Sequence, residues 1–385
     1  MLHSSLRRII RKNSDYFYIL SRQYPNFVLS DRVNVLDHIP VFTFHQESAE
    51  ELELVFRFLA ENGYQTLDAD QLYEKRVSGV TMAAREVVLT FDDGHKSLWT
   101  IAYPLLKKYQ LKAIAFILPG LTPDRDMEPP WKPGAQHLCN WEQIQDMHKS
   151  GTVDFQSHSM YHHSVFVSPR IVNYITPSDS PSFLQKQVFP VIEDKANVFF
   201  PEDLPLGTPI YESFPRYGSK RRYIENPEVT KLTTDFVTDK GGPDFFLRKS
   251  WKHELDKLVK SRAKTSYQGA RFESAGERKN AILKDLRDAK RLIEARLSGK
   301  TVRHFCFPWY EGCADSAKLS AKAGYITNHW GWHLPREVLT CSTSILPVRR
   351  LDPQYIWRLP GKGRKSLTVV LRMRLARMRI LHFTK

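Results

Sequence analysis

The stretch EVVLTFDDGHKSLW, residues 86–99, decides how this chain is read. Val87, Val88 and Leu89 belong to an apolar run of strand type, which ends on two adjacent carboxylates, Asp92 and Asp93, followed by Gly94 and His95. Neighbouring like charges at the end of a buried strand repel each other and lose hydration, so something must compensate them. KSLWTIAYPLLKKY follows with helical spacing, with Pro104 expected as a local kink or a late start. A strand feeding a helix is the repeating unit of α/β folds, whose active sites lie at the carboxyl ends of the strands.

Outward from this stretch the alternation continues. Strands are expected at 38–45 (HIPVFTFH), 112–120 (KAIAFILPG), 152–158 (TVDFQSH), 302–309 (VRHFCFPW), 325–332 (YITNHWGW) and 344–351 (SILPVRRL). Helical patterns fall at 49–64, stopped by Asn62-Gly63, and at 276–298 and 314–323. About seven strands fit either a distorted (β/α) barrel or a doubly wound sheet. Residues 165–275 break the rhythm with prolines, aromatics and charges, and read as a large ordered insertion, a lid or subdomain.

The chain has 385 residues, 42% of them hydrophobic, enough for a full core. No run approaches the roughly 18 apolar residues of a membrane span, and the N-terminus shows no apolar leader core, so a cytoplasmic protein is expected. Cys139, Cys306, Cys313 and Cys341 form no CxxC pair and read as reduced thiols. The net charge is +15, of which residues 1–36 carry +4 and residues 352–385 carry +8. The body is nearly neutral, which puts nucleic acid last among the partners. Leu6, Ile9, Ile10, Phe17 and Leu20 share a helical face opposite Arg7, Arg8, Arg11 and Lys12, a pattern that suits an anionic membrane surface or a docked helix. The expected organisation is a basic amphipathic segment at 1–36, a barrel at 37–164 and 276–351, the insertion, and a basic C-terminal tail at 352–385.

QSHSMYHH (156–163) ends another strand and brings His158 and His162, four apart, which would share a face on one helical turn. Two imidazoles and a carboxylate make an open three-ligand metal site. Each motif alone has an ordinary reading, a capped helix or surface histidines; both at the same ends of separate strands are harder to dismiss.

LTFDDG followed by VDFQSHSMYHH resembles the NodB-homology polysaccharide deacetylases, carbohydrate esterase family four. The resemblance takes in IPVFTFH, LAENGYQTL, HFCFPWYEG and AGY, and so covers about 37–164 and 276–351 in the branch with an N-terminal catalytic-histidine strand. It implies a NodB-like barrel and a divalent ion, zinc first, held by Asp93, His158 and His162. Asp92 becomes the general base toward the attacking water. A backbone N–H at Trp309, after Pro308, becomes the oxyanion donor, with Phe307, Pro308 and Trp309 positioning the sugar. His45 is the expected general acid, with His329 and His333 as runners-up. The implied activity is N-deacetylation of a polysaccharide or lipid-linked glycan, and the basic ends add the expectation that it works at the cytoplasmic membrane face; another amide hydrolysis on the same barrel, or a catalytically idle carbohydrate-binding barrel, stays open. The chain departs from the family pattern where an arginine commonly precedes the third motif's proline. Cys306 and Phe307 stand there, Arg303 lies further back, and what orients Asp92 is left open.

Overall fold

The computed structural model describes residues 23–78, 85–125, 138–178, 192–194, 197–199, 204–262, 269–340 and 344–383. Seven parallel strands lie side by side in chain order: β1 Val41–Phe44, β2 Glu86–Asp93, β3 Ala113–Ile117, β4 Val153–Ser157, β5 His304–Cys306, β6 Thr327–Trp330 and β7 Leu346–Arg349. A single parallel bridge, Phe42 to Leu351, links the last strand back to the first and nearly closes the sheet. The fold is therefore an α/β barrel rather than a doubly wound open sheet. Around it lie α1 Ala49–Glu61, α2 Ala69–Ser78, α3 Tyr103–Lys108, α4 Trp141–Lys149, α5 Ala275–Arg296, α6 Ala314–Lys322 and α7 Leu367–Phe383.

Alternation along the strands separates two cores. In β2, Val87, Leu89 and Phe91 join the layer between sheet and helices, while Val88 packs inside the barrel with Val41, Ile114, Phe116 and Val348. The same alternation turns Thr90 and Asp92 inward. Pro104 sits in the first turn of α3, after a π-helical turn over Leu98–Ala102 that absorbs the missing backbone donor.

The insertion is built, over its described residues, around an antiparallel pair, Ser164–Tyr174 with Pro209–Pro215, and helices Pro227–Asp239 and Trp251–Ser261. It has apolar clusters of its own, one around Phe166, Tyr211 and Tyr223 and one around Tyr174, Val237, Phe245 and Leu255.

The amphipathic face expected at Leu6, Ile9, Ile10, Phe17 and Leu20 lies outside the described residues. From residue 23 the chain packs onto the barrel, and Tyr24, Phe27, Val28 and Leu36 are buried in the main core. Residues 352–385 are not a free basic tail at their start: Tyr355, Ile356, Leu359 and Val370 are buried in that same core. Arg358 is buried, donating to Val28 O and pairing with Asp31; Arg364 donates to backbone carbonyls of residues 27–33; Arg374 pairs with Asp352. Apolar residues between the arginines drive this packing, and net charge alone did not reveal it. Among the described residues no helix is long and apolar enough to cross a membrane.

Candidate active site

The carboxyl ends of five strands meet at one rim. His45 follows β1, Asp92 and Asp93 end β2, His158 follows β4, Cys306 ends β5 ahead of Trp309, and Arg350 follows β7.

Asp92 faces into the barrel and is 2% exposed. Its partner is Arg350, which donates from Nη1 to Oδ1 at 2.7 Å and from Nη2 to Oδ2 at 2.9 Å. The other guanidinium donors go to Trp330 O, Thr90 Oγ1 and Cys306 Sγ, so all five N–H groups are used. The ring of Phe116 and the ring of Tyr310 flank the guanidinium at 5.5 and 5.2 Å. Burial pushes the Asp92 carboxyl up, but Arg350, followed by His158 and His45, outweighs it and holds the acid well below the usual carboxylate range. Arg350 is thus the residue that orients Asp92, which the sequence reading left open. The signal was present in SILPVRRL: Arg350 stands two residues after the inward Val348, at the same strand end as the aspartates. Arg303, by contrast, pairs with Asp70 away from this rim.

Asp93 leaves the strand conformation, with φ at 70°. This turns its carboxylate onto the rim, where Oδ1 lies 3.5 Å from His158 Nε2 and 3.6 Å from His162 Nε2. The histidines do not share a helical turn as expected. Residues 158–163 form an irregular loop with left-handed residues at Ser159 (φ 76°) and His162 (φ 53°), tied by His162 N–H donating to Ser159 Oγ at 2.9 Å. The rings still converge, with centroids 4.8 Å apart. His158 Nδ1 lies 2.9 Å from Cys306 O, so this nitrogen carries the proton and Nε2 keeps its lone pair toward Asp93. Burial is the main cause that drops His158 to about 4 and His162 to about 3, so both rings are neutral at pH 7. Among the described residues, buried Asp93 Oδ1 has no hydrogen-bond donor. One anionic oxygen, the His158 lone pair and the second imidazole nitrogen facing a common point fit a divalent cation. Asp92, His158 and Cys306 also cluster, but Arg350 already occupies the space beside Asp92 and Cys306.

His45 is half-exposed, and its Nε2 lies 3.8 Å from Asp92 Oδ2. The runners-up sit elsewhere: His329 is fully buried inside the barrel against Phe116, and the His333 ring meets Tyr24 edge-on at 5.9 Å. Trp309 reaches the rim in a left-handed conformation (φ 60°), its ring 4.7 Å from that of His162. Phe307, expected to position the sugar, is instead fully buried, with its ring 4.1 Å from Trp330. The cause is alternation: Cys306 points inward, which sends Phe305 and Phe307 into the sheet–helix core. Pro308 is buried too, whereas Trp309 and Tyr310 are the partly exposed aromatics of this segment.

Comparison with known proteins agrees with this geometry. Residues 79–188, which include Asp92, Asp93, His158 and His162, match the polysaccharide deacetylase family model. The poly-beta-1,6-N-acetyl-D-glucosamine N-deacetylase of Escherichia coli K12 is 30% identical over 142 residues, 36% of this chain and 21% of that protein. The enzyme of the same name from Staphylococcus aureus MRSA252 is 27% identical over 81 residues, 21% of this chain and 26% of that protein. The chain thus spans about a fifth to a quarter of the length of these relatives. A de-N-acetylase from Aggregatibacter actinomycetemcomitans shares the fold, with a TM-score of 0.51 and 16% identity over 82% of this chain and 96% of that one. Residues 79–188, with their motifs, thus match the polysaccharide deacetylase family, and the barrel that carries them has the fold of a solved de-N-acetylase.

Proposed function

We propose that the chain is a metal-dependent N-deacetylase that removes an acetyl group from an N-acetylated sugar of a polysaccharide or lipid-linked glycan. The observation that carries this reading is the convergence of Asp93 Oδ1 with His158 Nε2 and His162 Nε2 at 3.5 and 3.6 Å, beside a separately held Asp92. Asp93, His158 and His162 would hold the ion. Two imidazoles and one carboxylate suit zinc, which when bound polarises the amide carbonyl and strengthens water as a nucleophile. The names of the Escherichia coli and Staphylococcus aureus relatives support an N-acetylglucosamine polymer as the substrate class.

The chain's own groups divide the remaining work. Asp92, kept ionised and fixed in plane by Arg350, takes the proton of the water that attacks the acetyl carbon. His45, facing it across 3.8 Å, gives a proton to the nitrogen as the C–N bond breaks, so acetic acid, which ionises on release, and a neutral amine depart. The Trp309 backbone N–H serves the developing oxyanion, and its ring walls the sugar site. Acetate release from N-acetylglucosamine oligomers tests the assignment: Asp92→Asn should keep the ion and lose about 10²–10⁴-fold in turnover, whereas Asp93→Asn should lose ion and turnover together. Equal behaviour of the two variants would overturn the division of roles.

The proposal extends to location, an anionic membrane surface at the cytoplasmic face. Its support is charge: Lys362 and Arg372 are exposed on the C-terminal segment, and residues 1–36 carry +4. Co-sedimentation with anionic liposomes that falls with added salt is expected; binding to neutral and anionic liposomes alike, or to neither, would remove this part.

A further inference from the structure

The insertion touches the candidate metal site through a short chain of contacts. Its strand Pro209–Pro215 leads into Arg216 and Tyr217. Arg216 N–H donates to His163 O at 3.3 Å, and its side chain is held in a buried bidentate pair with Glu273 at 2.8 and 3.0 Å. Tyr217 is 1% exposed, with its ring against Phe305 and Phe307 at 5.3 and 5.8 Å, on either side of the Cys306 whose carbonyl fixes His158. The Tyr217 hydroxyl donates to Asp285 Oδ2 on α5. That oxygen also accepts the backbone N–H of Met160, the middle of the His158–His162 loop, at 3.2 Å. On the loop's other side Gly120 N–H donates to Met160 O at 3.0 Å.

This loop has no regular structure and holds two non-glycine residues in left-handed conformations, Ser159 and His162. Such a backbone persists only where its surroundings over-determine it. Asp285 is the side chain that grips its centre, and Tyr217 is the insertion's hold on Asp285.

We propose that Asp285 and Tyr217 are positioning residues for the histidine loop, so that the insertion sets the affinity of the Asp93/His158/His162 site for its divalent ion. The proposal rests on the metal reading above. Groups that orient metal-binding histidines typically govern affinity by about ten- to a hundredfold.

The test uses the full chain and zinc alone. Zinc affinity is measured by competition with a chromophoric chelator, and the visible spectrum of the cobalt-substituted protein reports ligand geometry. Asp285→Ala should weaken zinc binding about ten- to a hundredfold and alter the cobalt bands. Tyr217→Phe, which keeps the ring packing, should weaken it by less. Asp285→Asn, which still offers an oxygen to Met160 N–H, should restore most of the affinity; a purely structural role would move thermal stability without moving the cobalt spectrum. If Asp285→Ala does not fold, Tyr217→Phe against Asp285→Asn carries the same comparison. Wild-type affinity and spectrum in both Asp285→Ala and Tyr217→Phe, while His158→Ala loses zinc, would overturn this proposal alone. A wild-type chain that takes up no zinc would overturn the metal reading and this proposal with it.

Discussion

Arg350 and Asp92 form a two-pronged pair at 2.7 and 2.9 Å, with the arginine fully buried and the aspartate 2% exposed. They come from opposite ends of the chain and meet because β7 lies beside β1, next but one to β2. The pair answers why two adjacent carboxylates can end one strand: Asp92 is neutralised by the guanidinium, and Asp93 is turned away toward the histidines.

Breaking this pair from one side should be costly. Arg350→Met leaves a buried carboxylate unpaired and should lower stability by about 3–5 kcal/mol, read from urea unfolding at pH 7. Asp92 is held below its ordinary range, so its contribution is complete above the unfolded carboxylate pKa and is lost as pH falls through the folded one. In Arg350→Met the guanidinium no longer offsets burial, so the carboxyl rises and the native state binds the extra proton. The stability gap between variant and wild type should therefore narrow on acidification. A gap that stays constant with pH would contradict the pairing.

The metal-free histidines give a prediction of their own. With folded values of about 4 for His158 and about 3 for His162, the unfolded chain takes up protons below about pH 6.5 that the folded chain refuses. Stability of the metal-free protein should fall from about pH 6.5 toward pH 4, by at most about 1.4 kcal/mol per pH unit for each histidine. Urea unfolding at pH 7.5 and pH 5.5 checks this, and His158→Gln should flatten the slope. An unchanged slope in that variant would show that His158 is not neutral and buried as described.

Gly120 marks how tightly the histidine loop is seated. An alanine Cβ there would lie 2.4 Å from the Tyr161 ring and 2.8 Å from Met160 O. Gly120→Ala should therefore destabilise by about 1–3 kcal/mol, measured by thermal unfolding, and should weaken zinc binding. Wild-type stability would show that the loop yields there.

How much of this could be read from the sequence followed from how local each signal was. All seven barrel strands and helices 49–61, 275–296 and 314–322 came from apolar periodicity, because burial on one face writes itself into neighbouring residues. Helices α2 and α4 were missed; their apolar stripes are short, and Ala69 and Leu72 are the buried positions of α2. The Asp-Asp and His-x-x-x-His motifs named the residues that meet at the rim, yet the helical spacing assumed for the histidines was wrong, since positive φ values at Ser159 and His162 bring the rings together instead. Arg350 was missed because its partner is 258 residues away. Phe307 was misplaced because its facing depends on the inward turn of Cys306, which only the closed barrel fixes.

The most direct measurement couples ion content to chemistry in one sample. Purified protein should contain one zinc per chain and release acetate from N-acetylglucosamine oligomers, chelation should stop release, and restored zinc should recover it; Asp92→Asn should retain the zinc yet release almost none. Acetate release that survives complete metal removal, or full activity in Asp92→Asn, would contradict the account.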